Sequence, residues 1–114
     1  MDVAFSPDGK VLAVADDYQR VVLIDAATGK LKEPLFTSGI TDVSRLAFSP
    51  NGKYLVAVGR GKAVVFNVEA GRKVLSWQAH GGYVECVAWS PDGKFIATGG
   101  TDKRIEIWRV PELD

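Results

Sequence analysis

A chain of 114 residues, 46% hydrophobic and 25% charged, has material for one modest core and too little for two independent domains. Its formal net charge is zero, which argues against a generic binder of nucleic acid or anionic membrane, whose affinity needs a surplus of Lys and Arg. The single cysteine, Cys86, excludes an intrachain disulfide, and no apolar run approaches the roughly 18 residues of a membrane-spanning segment.

The first segment in chain order is the octad VAFSPDGK at 3–10. Its apolar start reads as a strand. Ser-Pro-Asp-Gly then turns the chain, because Pro pre-sets φ near about −65°, Asp hydrogen-bonds locally and Gly accepts a positive φ. Apolar runs follow at Val11 to Ala15 and Val21 to Ile24, and beyond the turn at Asp25 to Gly29 a fourth run spans Leu31 to Phe36. These runs are short and rich in β-branched residues, as strands of a stacked sheet should be. Interspersed polar residues make the fourth an edge strand. Asp16 and Asp17 lack the Asp-x-Asp-x-Asp-Gly pattern of a calcium loop and read as hairpin-turn residues.

The same order then repeats. LAFSPNGK at 46–53 precedes runs at Tyr54 to Val58, Ala63 to Phe66 and Val74 to Trp77. VAWSPDGK at 87–94 precedes Phe95 to Thr98 and Ile105 to Trp108, after which Pro111 stops the last strand. The octads begin at residues 3, 46 and 87, offsets of 43 and 41, and share five of eight residues. A period of this length means one supersecondary unit copied along the chain, each copy burying its apolar face on the next. The unit is a four-stranded antiparallel meander, and almost no helix is expected. Cys86 falls in the apolar alternation VECVAW and reads as a packed, inert thiol. The basic pairs Arg60 with Lys62 and Lys103 with Arg104 read as solvated turn residues.

With these units on the page, the third one, AHGGYVECVAWSPDGKFIATGGTDKRIEIW at 79–108, resembles a repeat of the WD-repeat β-propeller family, and the likeness extends over essentially the whole chain. The resemblance implies an all-β fold of about 2.75 blades: blade one at about 2–37, blade two at about 43–79 and a three-stranded blade three at about 84–109. In that family a His, a Ser or Thr, an Asp and a Trp form a hydrogen-bonded tetrad. The matching residues here are His80, Thr98, Asp102 and Trp108. Each has a donor or acceptor to satisfy, and a buried indole N–H needs a partner. The other units depart from the pattern. Gly39 falls near the expected His of the second, where Ala57 and Phe66 replace Ser or Thr and Trp; Val14, Tyr18 and Ile24 occupy three of the positions in the first. Those two blades are expected to hold together by packing and ladder hydrogen bonds alone.

A closed propeller has about four to eight blades, so fewer than three cannot close a ring. The expectation is a segment of a longer propeller or one protomer of an assembly, with self-association through exposed terminal blades. For chemistry the chain offers little. His80 is the only histidine and has no partner at zinc-ligand spacing, and no nucleophile elbow, phosphate loop or dinucleotide fingerprint occurs. No catalytic residue, metal or cofactor is expected. The resemblance instead implies a non-catalytic scaffold for a protein or peptide partner, in the cytoplasm or the nucleus; the alternative is a regulatory propeller module of a larger enzyme or signalling protein. The face on which partners of this family dock maps to Asp42, Ser44 and Arg45, to Tyr83 and Glu85, and to Arg60 and Thr101 in adjacent turns. Tyr83 and Arg45 are of the residue types most often found as binding hot spots.

Overall fold

Alternation of side chains and the octad turns together dictate the strands. In a computed structural model, described for residues 2–15, 20–32, 35–36 and 42–113, ten strands form: β1 Val3–Phe5, β2 Val11–Ala15, β3 Arg20–Asp25, β4 Leu35–Phe36, β5 Arg45–Phe48, β6 Tyr54–Val58, β7 Arg60–Asn67, β8 Arg72–Trp89, β9 Phe95–Gly100 and β10 Ile105–Arg109. No helix occurs among the described residues. Tyr18 and Gly39, with Asp16 and Asp17, lie outside them.

Each octad folds into the same self-contained turn. The Ser6 hydroxyl donates to Asp8 Oδ1 at 2.6 Å and accepts the Val11 N–H at 3.0 Å, while Asp8 Oδ1 also accepts the Lys10 N–H at 2.9 Å. Ser49 with Asn51 and Ser90 with Asp92 repeat these bonds. The fourth turn residue has φ 74° in all three copies, Gly9, Gly52 and Gly93, a conformation a Cβ would strain. The Ser hydroxyls and the neighbouring backbone N–H groups hold Asp8 and Asp92 below the usual carboxylate range.

The strands pair antiparallel in chain order. One sheet runs β1-β2-β3-β4; the other runs β10-β9-β8-β7-β6-β5. The second sheet contains two blades because β8 serves both. Its first part, Arg72 to Gln78, pairs with β7, and its last part, Val84 to Trp89, pairs with β9. The blade bounds expected from sequence, about 43–79 and about 84–109, leave 80–83 between blades. The chain stays extended there, crossing between blades with one further pairing, Arg60 with Tyr83, to β7. A register shift between Arg60 and Lys62 lets it cross.

Period-two alternation gives each blade two faces, and two cores result. Ala13, Ala15, Val21 and Leu23 of blade one pack against Leu46, Leu55, Ala57, Val64 and Phe66 of blade two. The opposite face of blade two, with Val56, Val58, Ala63 and Val65, packs against Val84 and Ile96 of blade three, joined by Trp89 and Trp108. Cys86, expected to be packed, is exposed. It alternates onto the far side of blade three from Val87, which none of the described residues covers.

Candidate functional site

Two constellations, one within the third repeat unit and one between the second and third, hold most of the residues singled out above. The first is polar and largely internal. His80 lies where β8 crosses between blades, 3% exposed, and its ring fits because Gly100 has no side chain: a Cβ there would come within 2.6 Å of the imidazole. His80 Nε2 lies 2.8 Å from Thr98 Oγ1, and His80 Nδ1 lies 2.9 Å from Asp102 Oδ1. The Trp108 indole N–H donates to the same Thr98 Oγ1 at 2.9 Å.

Donor counting orders the protons. A carboxylate can only accept, so the ring nitrogen facing it, His80 Nδ1, carries the proton and donates to Asp102. In that tautomer His80 Nε2 accepts the Thr98 hydroxyl proton, while Thr98 Oγ1 accepts the Trp108 indole N–H. The carboxylate also accepts the Arg104 N–H at 3.1 Å and the Gly81 N–H at 3.3 Å. Against a desolvation cost, these two N–H groups and His80 hold Asp102 below the usual carboxylate range. The four groups are bonded in series, with Asp102 also held by two backbone N–H groups, which ties β8, β9, β10 and the β9–β10 turn together. Among the described residues, no three His, Cys, Asp or Glu side chains gather as metal ligands.

The second constellation is exposed. Tyr83, 38% exposed, receives hydrogen bonds on its phenolic oxygen from Arg60 Nη2 at 2.6 Å and Nε at 3.2 Å, and donates to Asp42 Oδ2 at 3.4 Å. The guanidinium carbon lies 5.1 Å from the Tyr83 ring centroid. The bond to Tyr83, with the nearby Asp42 carboxylate, raises Arg60 above its ordinary value, so it stays a cation. Thr101 holds the Tyr83 backbone from below: its Oγ1 accepts the Tyr83 N–H at 3.0 Å, and its own N–H donates to the Tyr83 carbonyl at 2.9 Å. Asp42 adopts φ 56°, a left-handed conformation uncommon outside glycine.

The structure therefore brings Asp42, Arg60, Tyr83 and Thr101 into one cluster. The Ser44 hydroxyl is engaged elsewhere, donating to the Val84 carbonyl at 2.7 Å and joining blade two to blade three. Arg45 is exposed and turns back to the Ser44 carbonyl at 2.8 Å. Glu85 is exposed beside the cluster on β8.

Sequence reasoning passed over several links between blades. Asp2 Oδ2 accepts the Leu46 N–H at 2.8 Å, and Trp89 Nε1 donates to the Ala47 carbonyl at 3.0 Å. Tyr54 Oη donates to the Leu113 carbonyl at 2.6 Å and so draws the 110–113 segment along a groove lined by Tyr54, Trp89 and Arg109. The Trp in the third octad, where the others carry Phe, was the one visible signal, since it brings an N–H that the neighbouring blade must accept.

Comparison with known proteins supplies the rest. The family model "WD domain, G-beta repeat" matches residues 29–67 and 71–109. Actin-interacting protein 1 of Drosophila melanogaster is 32% identical over 111 residues, covering 95% of this chain and 18% of that protein. The WD repeat-containing protein sll1491 of Synechocystis is 34% identical over 106 residues, covering 90% of this chain and 30% of that protein. The chain thus spans less than a third of the length of either relative. Among solved structures, hydrazine synthase of Kuenenia stuttgartiensis superposes with a TM-score of 0.85 over 94% of this chain and 31% of that chain, at 19% identity, a likeness of fold alone.

Proposed function

Because this chain belongs to the WD-repeat, G-beta-repeat family and folds as antiparallel blades of a β-propeller, we propose that it is a non-catalytic scaffold that holds a protein or peptide partner on the surface around Tyr83, as a segment of a larger propeller or a protomer of an assembly. The observation that carries the reading is the Asp42–Arg60–Tyr83 cluster. It presents an aromatic ring from β8 and a fixed cation from β7 together with a carboxylate from the bend ahead of β5, at the junction of two blades. Aromatic and Arg side chains dominate the energetics of protein interfaces because they offer large contact area with few torsions to freeze. Arg45 and Glu85 extend this surface with further exposed charge. A relative named for interaction with actin, Actin-interacting protein 1, supports a protein as the class of partner. Self-association belongs to the same reading, since apolar side chains stand uncovered at both ends of the blade stack.

The test compares variants at the two ends of the blades. Proteins retained from a lysate by the immobilised chain should be lost with Tyr83→Ala and with Arg60→Glu, and kept with Asn51→Ala in the octad turn on the opposite rim. Retention that is equal for all four chains would remove the assignment of this surface.

A further inference from the structure

The uncovered faces at the two ends of the stack are not alike, and each continues an interface already present inside the chain. In every octad the first and third residues point one way and the second points the other. Leu46 and Phe48 of blade two pack toward blade one, and Val87 and Trp89 of blade three pack toward blade two. Ala4 and Ala47 lie on the opposite faces and receive them. The equivalent residues of blade one, Val3 and Phe5, are 58% and 63% exposed, with nothing to pack on. At the other end Ala88 is exposed, and on the same face Ile105 and Ile107 are 81% and 70% exposed. Their counterparts in blades one and two, Val21 with Leu23 and Ala63 with Val65, are all buried by the following blade.

The octad turns show the same open series. A Cβ on Gly52 would lie 3.5 Å from Pro7 Cδ, and one on Gly93 would lie 3.9 Å from Pro50 Cδ, so each turn rests on the turn of the preceding blade. A Cβ on Gly9 would have nothing within 4 Å, as expected of the first turn in the series. Face, strand position and turn all leave a matched pair of unlike ends.

We propose that the open face of blade one (Val3, Phe5) docks on the open face of blade three (Ile105, Ile107) of a second copy of this chain, and that two copies close head to tail into a six-blade ring. This rests on the self-association included in the proposed function and specifies its geometry. An interface between unlike surfaces closes into a ring or runs on as a filament. Two four-stranded blades and one three-stranded blade per copy, against about four to eight blades per closed propeller, leave two copies as the number that closes.

Sedimentation of the chain should give twice its 12.3 kDa mass. Phe5→Lys removes one face and Ile107→Glu removes the other, at exposed positions outside both cores, so each variant alone should sediment as a single chain. An equimolar mixture should recover the two-chain mass, because one wild-type pair of unlike faces remains and the altered pair carries opposite charges. Val3→Lys with Ile105→Glu should reproduce the pattern. If either variant alone keeps the two-chain mass, like faces meet: head-to-tail docking fails while self-association stands. A mass that climbs past two chains with concentration overturns ring closure. A wild-type chain at 12.3 kDa overturns self-association itself, and leaves the Tyr83 surface to its own test.

Discussion

Blades two and three have the same register and different interiors. Phe66 faces Leu55 across β7 and β6 as Trp108 faces Ile96 across β10 and β9. Yet the positions that carry Thr98 and Trp108 in blade three carry Ala57 and Phe66 in blade two, both almost fully buried in an apolar core. A blade of this kind therefore needs only alternation, turns and a packed face. The polar network in blade three does something separate: it fixes the crossing of β8, through His80, to the third blade. Satisfied networks of this kind specify one arrangement, whereas apolar packing supplies most of the free energy.

The sharpest way to break this contrast is to empty each interior. Phe66→Ala opens a cavity at a site 1% exposed and should cost about 3–5 kcal/mol. Thr98→Val keeps the volume but strands the Trp108 N–H and the His80 ring nitrogen, and should cost about 1–3 kcal/mol. Denaturant midpoints in the reverse order would show that the network, not packing, holds the stack.

A finer comparison uses the two neighbouring indoles, whose ring centroids are 5.7 Å apart. Trp108 has its N–H bonded to Thr98, while the Trp77 N–H is buried without a partner among the described residues. Replacing either by Phe removes similar volume, so Trp108→Phe should be the more destabilising by about 1 kcal/mol, the net worth of one hydrogen bond. Equal midpoints would mean that the Trp108 bond contributes nothing measurable.

The smallest effect is electrostatic. Asp102 is held below its ordinary value of 3.8 in the folded chain. Its ionised form therefore contributes stability that is complete above that value and lost as the pH falls through the lower folded one. Asp102→Asn should lower stability at neutral pH, and the gap to wild type should narrow on acidification below about pH 4. A gap that stays constant across that range would separate Asp102 from the acid response.

Local features were legible in advance and long-range ones were not. The run Val11 to Ala15 and the run Tyr54 to Val58 coincide with β2 and β6, because Ser-Pro-Asp-Gly or Ser-Pro-Asn-Gly closes its own hydrogen bonds immediately before each. The residues of the His80 network were legible through a family pattern, but the direction of its protons follows only from which donors and acceptors meet in the folded chain. Cys86 was misjudged for a plain reason. Alternation says which residues share a face, whereas whether that face is covered depends on a neighbouring blade.

The rim shows the same limit. Asp42, Arg60 and Tyr83 were read as positions on one docking face, but their direct bonding required β8 to remain extended through residues 79–83 and pair Tyr83 with Arg60. The sequence by itself determined the repeat, the turns, the strand order and the two-faced pattern of every blade, since each arises from interactions within a few residues. Only the tertiary structure decided which faces are buried, where β8 crosses, and which side chains from distant repeats converge, because those outcomes depend on how one blade stacks upon the next.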